Sequence, residues 1–112
     1  MIAQVGRTVY LAGQTAQRAD GTIVPGSMAE QFDVAAANVV LALEGAGARP
    51  QDLVSLQIFV TDVAEYQRLS KEIGVVYRRH FGDHYPAMAL LEVRRLFDAK
   101  ATVELMGVAV TA

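Results

Sequence analysis

With 112 residues and a formal net charge of −2, the chain fits one domain, residues 1–112, and leaves no room for a second. Hydrophobic residues make up 53% of it, yet no apolar run approaches the roughly 18 residues of a membrane span, so no membrane partner is expected. The absence of cysteine excludes disulfides and thiolate chemistry, and a pI of about 5.6, with only the short basic runs Arg78-Arg79-His80 and Arg94-Arg95, argues against a nucleic-acid partner.

The first seven residues, Met1 to Arg7, lack the basic segment and apolar core of a signal peptide, which with the missing cysteines predicts a cytoplasmic protein. Thr8-Val9-Tyr10-Leu11-Ala12 is rich in β-formers and stops at Gly13, the pattern of a strand. Within residues 16–26, Asp20-Gly21 and Pro25-Gly26 are turn signals. The first predicts a hairpin with Ile23 and Val24 in a short return strand. Ser27-Met28-Ala29-Glu30 is a capping box, each end residue able to satisfy the other's backbone N–H. Phe32, Ala35, Ala36, Val39, Val40 and Leu43 follow at spacings of three and four, one face of a helix. Gly45 and Gly47 suit its end, and Pro50 bars its continuation.

Residues 52–61 form the clearest strand, with Val54, Leu56, Ile58 and Val60 on one side and Leu53, Ser55, Gln57 and Phe59 on the other. Asp62 and Glu65 repeat the capping pattern before a second helix. Its apolar face is Tyr66, Leu69, Ile73, Val76, Tyr77 and Phe81, and Gly82-Asp83 ends it. Pro86 opens a strand to about Leu96; a turn near Asp98-Ala99 leads to a last strand from about Thr102 to Val110. The order β-β-α-β-α-β-β predicts an α+β fold, one mixed sheet with two helices on one face. The other face is then bare although its strands are apolar on both sides. Such a patch marks an interface, and closed cyclic symmetry between copies is an economical way to bury it.

Few residues carry chemistry. Glu104 sits in the apolar run Val103-Glu104-Leu105-Met106, a setting that tunes a carboxylate for acid–base work; a solvent-facing or edge glutamate is the plainer alternative. His80 and His84 are the only histidines. Gly82-Asp83 breaks the helix between them and no third ligand is evident, so no metal and no cofactor are expected. Ser27, Glu30, Asp62 and Glu65 read as caps, and Gly45-Ala46-Gly47 lies at the wrong helix end for phosphate.

Several segments, in order, cover nearly the whole chain: Tyr10-Leu11-Ala12-Gly13-Gln14; Asp20-Gly21-Thr22-Ile23-Val24; the helix with Gln31, Asn38-Val39 and Leu43 before Ala46-Gly47; Asp52-Leu53-Val54 with Phe59-Val60-Thr61-Asp62; Tyr77 and Phe81; Pro86-Ala87; Glu92-Val93; and Val103-Glu104-Leu105. Together they resemble the RidA/YjgF (reactive intermediate deaminase) superfamily. The resemblance implies a chorismate-mutase-like fold and a homotrimer whose sheets make a central barrel, with a small-molecule cleft between each pair of neighbours. It implies hydrolysis of 2-imino or enamine acids to 2-oxo acids and ammonia, an arginine gripping the substrate carboxylate and a last-strand glutamate placing water.

Carried onto this chain, the glutamate is Glu104, while Gly13 and Gln14 fall near the cleft. Met88 stands where the arginine stands, Ala12 replaces a common serine, and Gly74 falls where an asparagine is frequent. Tyr85 and Met88 make the rim more apolar, and the N-terminal segment that usually supplies a tyrosine is absent or truncated. Methionine offers neither charge nor donor, so weak activity on 2-iminopropanoate-like acids is expected, unless Arg7, Arg94 or Arg95 compensates. The expected function is a Rid-type hydrolase with altered specificity. The alternatives are a non-catalytic trimer that binds a small molecule and, least favoured by the acidic pI, an endoribonuclease or translation inhibitor.

Overall fold

The alternating run at residues 52–61 becomes the second of four strands in a computed structural model that describes residues 6–112. Residues 1–5, on which the expectations about a signal peptide and a truncated tyrosine-bearing segment rest, lie outside the described residues. The elements are β1 (Arg7–Gln14), α1 (Met28–Gly45), β2 (Leu53–Val60), α2 (Val63–Arg68), α3 (Ser70–Phe81), β3 (Ala87–Glu92) and β4 (Val103–Thr111). The strand order is β1-β4-β2-β3, with β2 and β3 parallel and the other pairs antiparallel. This is an α+β fold with a mixed sheet.

Helix α1 starts where the capping box places it: Glu30 N–H donates to Ser27 Oγ at 3.2 Å, and Ser27 N–H donates to Glu30 Oε1 at 3.2 Å. Its apolar face is fully buried at Phe32, Ala35, Ala36, Val39 and Leu43, in one cluster with Leu56, Val60, Val103 and Leu105 of the sheet. Each buried Leu or Val of this kind contributes about 1.5–3 kcal/mol of transfer free energy. Ile73, Val76, Tyr77 and Phe81 extend that cluster from α3, on the same side. Residues paired across a ladder share a face, so the opposite face carries Glu104, Met106, Val108 and Val110 beside Phe59, Gln57, Ser55 and Tyr10. That face is bare, with Tyr10 81% and Val110 44% exposed.

The structure corrects the expected outline at several points. The return arm at Ile23 and Val24 is one bridge, Gln17 to Ile23, and not a strand. Thr22 donates both its N–H (3.0 Å) and its hydroxyl (2.7 Å) to Asp20 Oδ1, which curls the chain locally, and Pro25 has no N–H with which to extend a ladder. The second helix is two, α2 and α3, because Leu69 at φ −97°, ψ 13° opens the helix for one step. Its apolar stripe continues across the break. The strand expected from Pro86 to Leu96 runs only over β3. Its partner β2 ends at Val60, opposite Glu92, and Leu96 turns away into a small second core with Ala16, Ile23 and Ala101.

In β2 the strict alternation fails at its start. The register slips between Leu53 and Ser55, so Val54 is extruded, 49% exposed, and Leu53 is buried on the helix side. The chain order is therefore β-α-β-α-α-β-β. Among the described residues no helix is long and apolar enough to cross a membrane.

Candidate functional site

Strand β1 carries a bulge where the first candidate group forms. Leu11 faces Gly107 and Gln14 faces Leu105, so Ala12 and Gly13 together oppose Met106. The bulge brings the backbone of residue 13 onto the Glu104 side chain. A Cβ at Gly13 would lie 2.8 Å from Glu104 Cδ and 2.8 Å from Oε2, so glycine is required for this approach. Beside the pair lies a cavity of about 250 Å³ rimmed by Gln17, Ile23, Phe97 and Asp98. Glu104 is half-buried and therefore reachable by water, in contrast to a sealed apolar setting. Phe97, at the rim, is 100% exposed.

The two loops that shape this cavity are each pinned by an amide side chain of α1. Asn38 Nδ2 donates to Thr15 O at 2.9 Å and to Gln17 O at 3.0 Å. Buried Gln31 donates to Lys100 O at 2.9 Å and accepts from Thr102 N–H at 2.8 Å. Gln14, by contrast, folds back on its own strand, Nε2 donating to Ala12 O at 3.1 Å, and Ala12 is exposed on the bulge. Neither of these side chains lines the cavity.

Gly74, Tyr85 and Met88 meet elsewhere, around a second cavity of about 250 Å³ between α3 and β3, floored by Ile58 and walled by Tyr66 and Tyr77. The Tyr77 and Tyr85 rings stack at 5.1 Å and 6°, and Tyr77 OH donates to His84 O at 2.7 Å. Burial, with repulsion from an ionised Tyr85 second, pushes Tyr77 up to about 12, and burial also raises Tyr66. Both phenols are therefore neutral around pH 7.

The two groups lie on opposite faces of the sheet. Met88 pairs with Leu56, on the helix side, whereas Glu104 pairs with Phe59, on the bare side. Leu56 and Phe59 are an odd number of residues apart on one strand, so their side chains point in opposite directions. Within one chain, Glu104 and Met88 cannot act on the same small molecule.

The remaining candidates are engaged in holding the fold. His80 Nε2 is 2.6 Å from Asp33 Oδ1, and Arg79 Nη1 donates to Asp33 Oδ2 at 3.2 Å, which ties α3 to α1. His84 Nε2 donates to Leu53 O at 2.8 Å. The two histidines thus have separate partners, and among the described residues no cluster of three His, Asp or Glu could hold a metal. Arg7 donates to Ala46 O at 2.7 Å at the end of α1, and Arg95 donates to Leu96 O and Phe97 O, each at 3.1 Å. Neither they nor Arg94 line either cavity. The cation that does is Arg78, at the second cavity, which in the sequence is one member of the short basic run Arg78-Arg79-His80. Its position one turn after Gly74 was the available signal.

Comparison with known proteins gives a consistent picture. Residues 2–111 match the family model described as Endoribonuclease L-PSP. A RutC family protein of Pyrococcus abyssi is 32% identical over 83% of this chain and 71% of its own length. The 2-iminobutanoate/2-iminopropanoate deaminase of Bos taurus is 30% identical over 95% of this chain and 74% of its own. Among solved structures, a Mycobacterium tuberculosis member of the YjgF/YER057c/UK114 family superposes with a TM-score of 0.73 at 30% identity, covering 95% of this chain and 80% of that one.

Proposed function

The chain belongs to the Endoribonuclease L-PSP (YjgF/RutC) family, and from that premise we propose that it is a hydrolase of small imines or enamines working in the inter-subunit clefts of a homotrimer. The single observation that carries this reading is the division of the site between two faces. A neighbour packed on the bare face brings its Gly74, Tyr85 and Met88 group toward the Glu104 and Gly13 group of the first chain, and the apolar side chains Tyr10, Met106 and Val110 supply the contact.

In that cleft Glu104 accepts a proton from a water molecule as the water oxygen bonds to the imine carbon. The proton passes to the nitrogen to give a carbinolamine. Glu104 then takes the hydroxyl proton and delivers it to the amine as the C–N bond breaks and the C–O bond becomes double, so ammonia leaves and a carbonyl product remains. No redox partner is needed. Met88 in place of a cation lowers activity toward 2-iminopropanoate-like acids and shifts specificity. The cysteine-free composition suits the cytoplasm. A nuclease reading is disfavoured because Arg79 and His80 of the basic run are held by Asp33.

The test is ammonia release from freshly generated imines. Glu104→Gln is expected to lower turnover by about 10²–10⁴ with unchanged melting. Ligand-induced melting shifts with no ammonia from the wild-type protein would replace the enzyme with a trimeric binding protein.

A further inference from the structure

The cavity between α3 and β3 has walls that are almost wholly apolar or aromatic, and one cation stands at its edge. Ser70, Gly74 and Arg78 fall on one face of α3 at i, i+4 and i+8, and all three border it. Long side chains on a helix lean toward its N-terminus, and the Arg78 guanidinium lies back over Gly74: a Cβ there would sit 3.4 Å from Arg78 Nη1. The absent side chain at Gly74 is therefore the space in which the guanidinium rests. Arg79, the next residue, is paired with Asp33 on the α1 side, whereas Arg78 makes no side-chain hydrogen bond or ion pair among the described residues. No carboxylate lines the cavity, and the neutral phenols of Tyr66 and Tyr77 do not repel an anion.

We infer that Arg78, seated over Gly74, is the anion grip of this cavity, and that the ligand is a small carboxylic acid with an aromatic or branched apolar body. The guanidinium and the Ser70 hydroxyl meet the carboxylate, and the body lies on Met88 and Ile58 against the Tyr77–Tyr85 stack. Anchoring from the helix leaves the methionine on the strand as an apolar surface, so a body that reaches it is preferred over a two-carbon acid. This inference rests on the reading of that cavity as half of the cleft and names its substrate class. It stands apart from turnover, because an acid can bind whether or not the protein hydrolyses imines.

Calorimetric titration of the assembled wild-type protein with phenylacetate, acetate and phenylacetamide tests it. Phenylacetate is expected to bind at least about tenfold more tightly than either of the others, the gain of a charge-assisted pair plus an apolar contact. Arg78→Gln should weaken phenylacetate about tenfold or more and Arg78→Lys by less, while Arg79→Gln leaves it unchanged. Melting and mass measured beside each titration keep loss of fold or assembly separate from loss of grip. Equal binding of the acid and its amide, or of the wild type and Arg78→Gln, overturns the inference. Failure of the hydrolase reading shows instead as absent ammonia release by a wild type that still binds phenylacetate.

Discussion

The two faces of the sheet are built by alternate residues of the same strands and meet opposite fates. Leu56, Val60, Val103 and Leu105 point toward the helices and are fully buried. Gln57, Phe59, Glu104 and Met106, their immediate neighbours, point the other way and stay in reach of solvent. One face completes its packing inside the chain and sets the stability of the fold. The other carries Glu104 on an apolar surface that no helix among the described residues covers. Substitutions should therefore separate folding from assembly and chemistry according to the parity of the position.

The sharpest way to break this comparison is Val108→Asp, at the centre of the bare face between Tyr10 and Ser55. Sedimentation is expected to fall from about three chains to a single 12.1 kDa particle, with far-UV dichroism retained and turnover lost. Retention of the larger mass would remove the bare face from the interface. The converse change, Leu56→Ala on the covered face, should cost about 2–5 kcal/mol in urea unfolding, because the α1 side cannot collapse onto the void.

A subtler change sharpens the boundary. In Gly13→Ala the new Cβ collides with the mobile end of Glu104 and not with backbone. Stability should move by no more than about 1 kcal/mol, as for most substitutions that a flexible neighbour can accommodate. Turnover should fall about tenfold or more, since a displaced carboxylate misplaces the water. If activity survives, the carboxylate position is not critical.

The smallest effect lies in the alkaline limb. Tyr77 ionises near 12 in the folded chain against 10.0 for an ordinary tyrosine, so the native state holds a proton that the unfolded state releases. This contribution is fully present below pH 10 and is lost as pH rises toward 12. Tyr77→Phe should flatten that decline in a pH series of urea midpoints.

The parts that could be read from the sequence were those with a local cause. The Ser27–Glu30 capping box and the α1 stripe are set by side chains a turn apart, and the structure holds both. The bare face was also legible, because alternation in residues 52–61 left apolar groups on both sides. Bulges were not, since a slipped register at Val54 or at Ala12 and Gly13 depends on the partner strand, β4, far away in sequence. The truncation of β3 has the same origin: its length is set by where β2 ends. Glu104 and Gly13 could be nominated from the sequence, but that they touch could not, and the one mark of Arg78, its place a turn after Gly74, does not say what a helix-surface cation faces.

Strand β3 is an outer strand of the sheet, hydrogen-bonded on one side only, and its residues Ala87-Met88-Ala89-Leu90-Leu91 carry no charge before Glu92. Unpaired amides on so greasy a ribbon form a template for fibril growth, and nothing in that pentapeptide acts as a gatekeeper. Chains that leave this edge open should therefore clump irreversibly sooner than they unfold. The shelf life of a preparation will follow how well this edge is covered and not the melting point of the chain.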